Sequence, residues 1–217
     1  MAWSLLVRNG WVIDGGGAPR YQADVAVEGD RIAAIGPNLA GEATRTIDAA
    51  GRIVAPGFID AHSHSDLFYF GCPSSESKVR QGCTTEVVGM CSFSQAPIAP
   101  GRAQAVRDWA GGIGASVEFQ WETFGQYLDA LRSIRPSINV VHFVGHGALR
   151  LAAIGPENRP VTPDDMRAMS RRTESIFPQF SRPPTLTWAI WTPTSPSSPM
   201  RMASRMDAST IALSPRT

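Results

Sequence analysis

Lysine is almost missing from this chain of 217 residues: Lys78 stands alone, and the other basic residues are all arginine. The arginines are scattered, and the net charge is only +1. No basic face forms of the kind that holds nucleic acid or an acidic membrane surface. Cysteine is scarce as well. Cys72, Cys83 and Cys91 make an odd, low count that argues against a disulfide framework. No run approaches the roughly 20 apolar residues of a membrane span. Met1 to Asn9 lacks the basic region and long apolar stretch of a signal peptide. The chain therefore reads as soluble and cytoplasmic. Charged residues make up 18%, below the usual ~25%, while 43% are hydrophobic, enough for a core.

The last 47 residues are deficient in another way. Glycine, valine and histidine are absent from 171–217, although all 20 glycines occur upstream. Seven prolines and fifteen serines or threonines take their place, with only Glu174 and Asp207 as acids. Prolines at 183, 184, 193, 196 and 199 interrupt any helix or strand. The composition suits a disordered tail, yet Trp188, Ile190, Trp191 and three methionines do not. A shifted reading frame near residue 170 accounts for both features.

What is present falls into three parts: a small β domain over 1–55, a βα-repeat over 56–170, and the anomalous tail over 171–217. In the first part, short apolar runs at 4–7 and 11–13 flank Asn9-Gly10, a hairpin signal. Runs at 24–27 and 32–35 flank a second turn, and runs at 46–48 and 52–54 a third. Such regular spacing predicts a small sandwich or meander. After Pro56 the pattern changes to strand–helix alternation. Strands are predicted over 58–64, 83–90 and 138–144, with helices over 75–81 and 121–134. Thr162-Pro163-Asp164-Asp165 is a helix start, with Thr at the cap and acids in the first turn. Glycines 111, 112 and 114 lack the flanking strand and helix of a phosphate loop, so a flexible connection is expected there. Three βα units in series imply a parallel sheet.

The chemistry-bearing stretch is Pro56-Gly-Phe-Ile-Asp-Ala-His-Ser-His-Ser-Asp66. Phe58-Ile59 should open a buried strand, and residues two apart share a strand face. Asp60, His62 and His64 would then converge at the strand's end. Burying them without partners costs roughly 2–7 kcal/mol per polar group, and a divalent metal relieves that cost. A hydrogen-bonded polar core is the plainer alternative. Cys91, at the end of the second strand, is open to two readings: a thiolate ligand or a small buried hydrophobe. His142 reads as a packed core residue. His146, in a Gly-His-Gly turn, receives no role.

Asp48-x-x-Gly51 followed by the Pro56–Asp66 stretch resembles the start of the barrel in the amidohydrolase superfamily. Thr84-Thr-Glu-Val-Val-Gly-Met-Cys-Ser-Phe-Ser94, Trp121–Leu128 and Asn139–Arg150 resemble its N-acyl-D-amino-acid deacylase (D-aminoacylase) branch. Met90 stands where that branch usually has Asn. The resemblance covers about residues 3–170. It implies an α/β fold: the start of a (β/α)8 barrel, about three βα units, preceded by a small β-sandwich domain. It also implies zinc held by His62, His64 and Cys91, and hydrolysis of the amide of an N-acyl-D-amino acid, a small-molecule substrate. The family's acid/base Asp and two further zinc histidines come from later strands, and no histidine follows His146. The barrel is thus expected to be incomplete, and the chain inactive and poorly soluble alone. Two other amidohydrolase outcomes are a non-catalytic zinc-binding remnant and an enzyme acting on a cyclic amide or related C–N bond. A cysteine hydrolase built on Cys91, a histidine and Asp60 or Asp66 is a further alternative.

Overall fold

The computed structural model describes residues 3–110 and 118–174, together with the backbone of 188–191, 201–202 and 212–213. The predicted connection at glycines 111, 112 and 114 lies outside the described residues. The described elements form two compact units. One takes in the described residues of 1–59, 76–85 and 185–217, the other those of 60–75 and 86–184.

The first unit opens with β1 (Leu5–Val12), β2 (Tyr21–Glu28), β3 (Arg31–Gly36), β4 (Thr46–Asp48) and β5 (Ile53–Pro56). Asn9-Gly10 does not make the expected hairpin. The chain runs straight through it as one strand, with a bulge against β2 between the pairs Val7–Val25 and Gly10–Ala23. Asn9 takes φ 58°, and its backbone N–H donates to Asp24 Oδ1 at 2.9 Å. The extra residue shifts the side-chain alternation by one. Leu5 and Val7 before it and Val12 after it therefore reach the same core, with Val25, Val27, Ile47 and Val54.

The turn between β4 and β5 answers that bulge. Both strands lie parallel to β1, end to end along one edge. Between them the Gly51 N–H donates to the Asn9 carbonyl at 2.9 Å, and Asn9 Nδ2 donates to Asp48 Oδ1 at 3.0 Å. Positive φ at Ala50 (47°) and Gly51 (77°) allows the step. The described strands of this region form a single mixed sheet rather than two facing ones. β3 and β2 precede β1 in its order, and β5 follows.

The βα part comprises β6 (Phe58–Asp60), α1 (Glu76–Val79), β7 (Cys83–Val88), α2 (Ala103–Trp109), α3 (Phe124–Ile134), β8 (Asn139–His142), α4 (His146–Ala153) and α5 (Pro163–Glu174). β6, β7 and β8 form a three-stranded sheet in that order. The Phe58 N–H donates to the Gly82 carbonyl, and the Ser63 N–H to the Val87 carbonyl, each at 2.9 Å. Both bonds join residues at the same sequence offset, so the two segments run parallel. β6 is shorter than expected and ends at Asp60. Phe58 and Ile59 are 52% and 61% exposed rather than buried, and β6 is an outer strand of this sheet.

α3 is closed at its start by a reciprocal cap. The Gln126 N–H donates to Thr123 Oγ1, and Gln126 Oε1 accepts from the Thr123 N–H. Phe124, Tyr127 and Leu131 form its buried face. α2 arises where a loop was expected. Gly145-His146-Gly147 is the start of α4 rather than a free turn. Chain folding also extends to the tail's backbone, where β9 (Trp188–Trp191) pairs antiparallel with β5 despite the surrounding prolines. β10 (Arg201–Met202) and β11 (Ala212–Leu213) pair with each other.

α5 begins as its sequence predicts. The Asp165 N–H donates to Thr162 Oγ1 at 3.2 Å, and Asp165 Oδ2 accepts from the Thr162 N–H and hydroxyl at 2.9 and 2.7 Å. Arg159 adds a two-pronged pair to the same carboxylate at 2.7 and 3.0 Å. The Arg159 bonds and those from Thr162 hold the Asp165 pKa below its ordinary 3.8. A folded value below the unfolded one contributes stability above about pH 3.8 that is lost as pH falls through and below it. Amide-exchange protection of α5 is expected to weaken on acidification through that range. Asp165→Asn should show weaker protection already at neutral pH and no further acid-linked loss. An acid-linked loss of equal size in Asp165→Asn would contradict this assignment.

Candidate metal centre

Three donors meet in the second unit. One ligand atom each from His62, His64 and Cys91 lies within 4.8 Å of the other two. His62 Nε2 stands 3.1 Å from Cys91 Sγ, and the two imidazoles meet edge to face at 5.6 Å. His62 and Cys91 are exposed, and His64 is half-buried. Donors around a tetrahedral zinc with bonds of about 2.0–2.3 Å stand roughly 3.3–3.6 Å apart. The donor set, two imidazoles and a thiol, is one that zinc favours, and its ligand atoms lie within 4.8 Å of one another.

The backbone explains how the chain delivers these groups. β6 ends at Asp60, whose Oδ1 accepts the His62 N–H at 3.2 Å. Asp60 thus shapes the turn after the strand instead of joining the two histidines, as the alternation had suggested. Ser63 is buried between them, and His64 begins a short 3-10 turn over Ser65–Leu67. At the other side, β7 leaves its ladder through Gly89 (φ 79°) into Cys91 (φ 51°) and Ser92 (φ 70°). Two successive non-glycine residues in the left-handed region cost of order 1–3 kcal/mol each. Neighbouring backbone holds them there. The Phe93 N–H donates to the Met90 carbonyl at 2.8 Å, and the Ala148 N–H to the Ser92 carbonyl at 3.2 Å. Phe93 meets His64 edge to face at 5.9 Å and stacks on Trp109 at 4.2 Å, forming an aromatic wall beside the donors.

A second polar group is buried in the same unit. Asp66 and His142 are both buried, with His142 Nε2 3.7 Å from Asp66 Oδ2. The Phe143 carbonyl only accepts, so His142 Nδ1, 2.6 Å away, carries hydrogen, and Nε2 is bare in the neutral ring. Burial pushes the Asp66 pKa up to about 7 and the His142 pKa down to about 4. Burial, and then the Asp66 charge, raise the Tyr127 hydroxyl well above its usual range. His142 is thus a core residue as expected, packed edge to face on Phe124 and Tyr127. Asp66 faces His142, which separates it from the role considered for it beside Cys91. His146 is exposed at the first position of α4.

Sequence reading missed Glu86, a fully buried acid on β7 that bonds to Ser63 and Ser65. The available signal was one acid inside the apolar and threonine run Thr84–Val88.

Fold and geometry together define a class: an α/β chain whose imidazole and thiol donors gather where consecutive strands of a βα-repeat end. The amidohydrolase family is matched over residues 45–178, and the chain belongs to that family. It is 46% identical over 168 residues to N-acyl-D-glutamate deacylase of Alcaligenes xylosoxydans xylosoxydans, covering 77% of this chain and 33% of that protein. It is 39% identical over 175 residues to D-aminoacylase of the same organism, covering 81% and 36%. Among solved structures it resembles N-acyl-D-glutamate deacylase from Bordetella bronchiseptica, complexed with zinc and a phosphonate mimic of the tetrahedral intermediate. That match has a TM-score of 0.71 at 40% identity, covering 81% of this chain and 36% of the other. A D-aminoacylase structure gives a TM-score of 0.67 at 40% identity, covering 78% and 35%. The chain spans about a third of the length of the curated relatives it matches.

Gly89 sets the approach of the cysteine loop to β8. A Cβ there would overlap the Phe143 carbonyl oxygen, in a backbone conformation that L side chains avoid. Gly89→Ala is expected to lower the melting temperature sharply, with a loss of several kcal/mol in urea unfolding. A loss below about 1 kcal/mol would show that the loop has room to relax.

Proposed function

We propose that the whole protein of which these residues form the matched part hydrolyses the amide bond of N-acyl-D-amino acids, with zinc held by His62, His64 and Cys91. The observation that carries this reading is the convergence of those three donors within 4.8 Å in a chain of the amidohydrolase family. The relatives support the substrate class. They include an N-acyl-D-glutamate deacylase, an N-acyl-D-aspartate deacylase and a D-aminoacylase. Bound zinc would supply Lewis acidity, polarising the acyl carbonyl and acidifying water. The chain's own part is to present two imidazoles and a cysteine sulfur from backbone held by the β6–β7 pairing. Phe93 packs edge to face on His64 and is itself stacked on Trp109.

These 217 residues carry part of the machinery in this reading. No histidine follows His146, and Asp207 is the single aspartate after residue 170. The catalytic aspartate and remaining ligands expected from later barrel strands have no counterpart here, so we take the barrel as incomplete and this chain as inactive. Exposed Phe58 and Ile59 on the outer strand β6 support that view, since further strands would cover them. Residues 171–217 are read as the product of a shifted frame or as a disordered tail. The family match ends at residue 178, close to the change in composition.

A cysteine hydrolase is the second reading, favoured by the 3.1 Å approach of His62 Nε2 to Cys91 Sγ. Two imidazoles turned toward one thiol favour the metal site instead.

Reading the DNA beyond codon 170 in all three frames, then expressing the restored product, tests the proposal. The expected product hydrolyses N-acetyl-D-amino acids, spares the L forms and loses activity on chelation. The present chain is expected to hold zinc without hydrolysing. Activity that survives chelation would favour the cysteine mechanism, and the absence of any continuing frame would overturn the shifted-frame reading of residues 171–217.

A further inference from the structure

Glu86 lies on β7 in the second unit with no solvent exposure, and hydroxyl groups surround its carboxylate. Its Oε1 accepts from Ser63 Oγ at 2.8 Å and from Ser65 Oγ at 2.7 Å, and its Oε2 accepts from the Tyr69 hydroxyl at 3.0 Å. A carboxylate only accepts, so both serine hydrogens point at Oε1. Ser63 Oγ is then free to accept the Ser65 N–H, which lies 3.2 Å away. The Ser63 N–H is itself spent on the Val87 carbonyl at 2.9 Å. Ser63 Oγ and Ser65 Oγ also lie 2.9 Å from each other. Burial, followed by the charge and hydrogen bond of Glu86, raises the Tyr69 pKa above its usual range, so Tyr69 remains a donor at any physiological pH.

The placement of these bonds matters more than their number. Ser63 and Ser65 flank His64, and Ser63 follows His62 directly. Past Asp60 one ladder bond remains, from the Ser63 N–H to the Val87 carbonyl, and the 3-10 turn starts only at Ser65. Backbone pairing therefore fixes Ser63 and leaves His62 and His64 on either side of it outside any strand or helix. The serine hydroxyls tie both sides of His64 to one oxygen on the neighbouring strand. β7 carries that oxygen and then leads to Cys91, so one strand sets both halves of the donor cluster.

We infer that Glu86 is the positioning residue of the metal site, holding His62 and His64 in register with Cys91 through the hydroxyls of Ser63 and Ser65. The inference rests on the zinc reading of His62, His64 and Cys91. A group that only filled a polar hole in the core would stabilise the fold without altering metal affinity. Residues that orient metal ligands typically change affinity by about 10–100-fold when removed.

Zinc affinity of the full chain, measured by chelator competition on folded monomer, separates the two roles. Glu86→Gln keeps an oxygen that accepts both serine hydroxyls and should bind zinc within about threefold of the unaltered chain. Glu86→Met keeps the volume, loses the acceptors, and should raise the zinc Kd about tenfold or more. Leu131→Ala, a core change on α3 in the same unit, should lower the melting temperature and leave the Kd unchanged. An unchanged Kd in Glu86→Met overturns the inference, as does an equal weakening in Leu131→Ala at matched loss of stability. Should Glu86→Met not fold, Ser65→Ala decides: a Kd raised severalfold supports the role and an unchanged one overturns it. An unaltered chain that takes up no zinc overturns the metal reading itself. Zinc binding with indifferent variants overturns the role of Glu86 alone.

Discussion

The hydrogen bond from the Ser63 N–H to the Val87 carbonyl is the constraint on which the donor cluster depends. It continues the parallel alignment of β6 and β7 three residues past the end of β6, where the chain is already turning. Parallel strands deliver their carboxyl ends to one edge of the sheet, and groups just beyond those ends meet there. His62, His64 and Cys91 are separated by almost thirty residues of sequence, yet their ligand atoms lie within 4.8 Å. The cost of this meeting is paid in backbone strain, since Cys91 and Ser92 both sit at positive φ.

Behind the exposed donors the protein keeps a buried polar layer. Glu86 is satisfied by hydroxyl donors, while Asp66 and His142 face each other across 3.7 Å. Buried ionisable groups are expensive unless hydrogen bonds or a change of protonation offset their desolvation. The two groups illustrate the two remedies. Glu86 gathers donors. Burial instead pushes Asp66 and His142 toward their neutral forms. Aromatic side chains of α3 pack over His142, so this layer belongs to the core and leaves the exposed edge to the donors.

Much of the βα-repeat was legible because its signals are local. Thr162-Pro163-Asp164-Asp165 opens α5 through contacts no more than a few residues apart, and the apolar spacing of α3 marks its buried face. Asn9-Gly10 misled for the opposite reason. Both residues tolerate positive φ, which serves a hairpin and a bulge equally well. The choice was made by distant partners, Asp24, Asp48 and Gly51. Phe58 and Ile59 misled in the same way, because an apolar pair opens a buried strand only where something covers it. α2 and α4 were missed, since a seven- or eight-residue helix offers too few turns for a periodic pattern to stand out.

The candidate site divides along the same line. Spacing and residue type alone pointed to His62 and His64 as a pair, because two residues apart is a short-range relation that any extended segment preserves. Sequence alone also marked the change of composition near residue 170. Cys91 reads in sequence as either ligand or core, and only the fold shows its thiol exposed and 3.1 Å from His62 Nε2. Asp60 was removed from the cluster by a bond to the His62 N–H, and Glu86 entered its support from the neighbouring strand. Those outcomes depend on which strand lies beside which and in what register. Pairing between distant segments sets that register, and no local pattern encodes it.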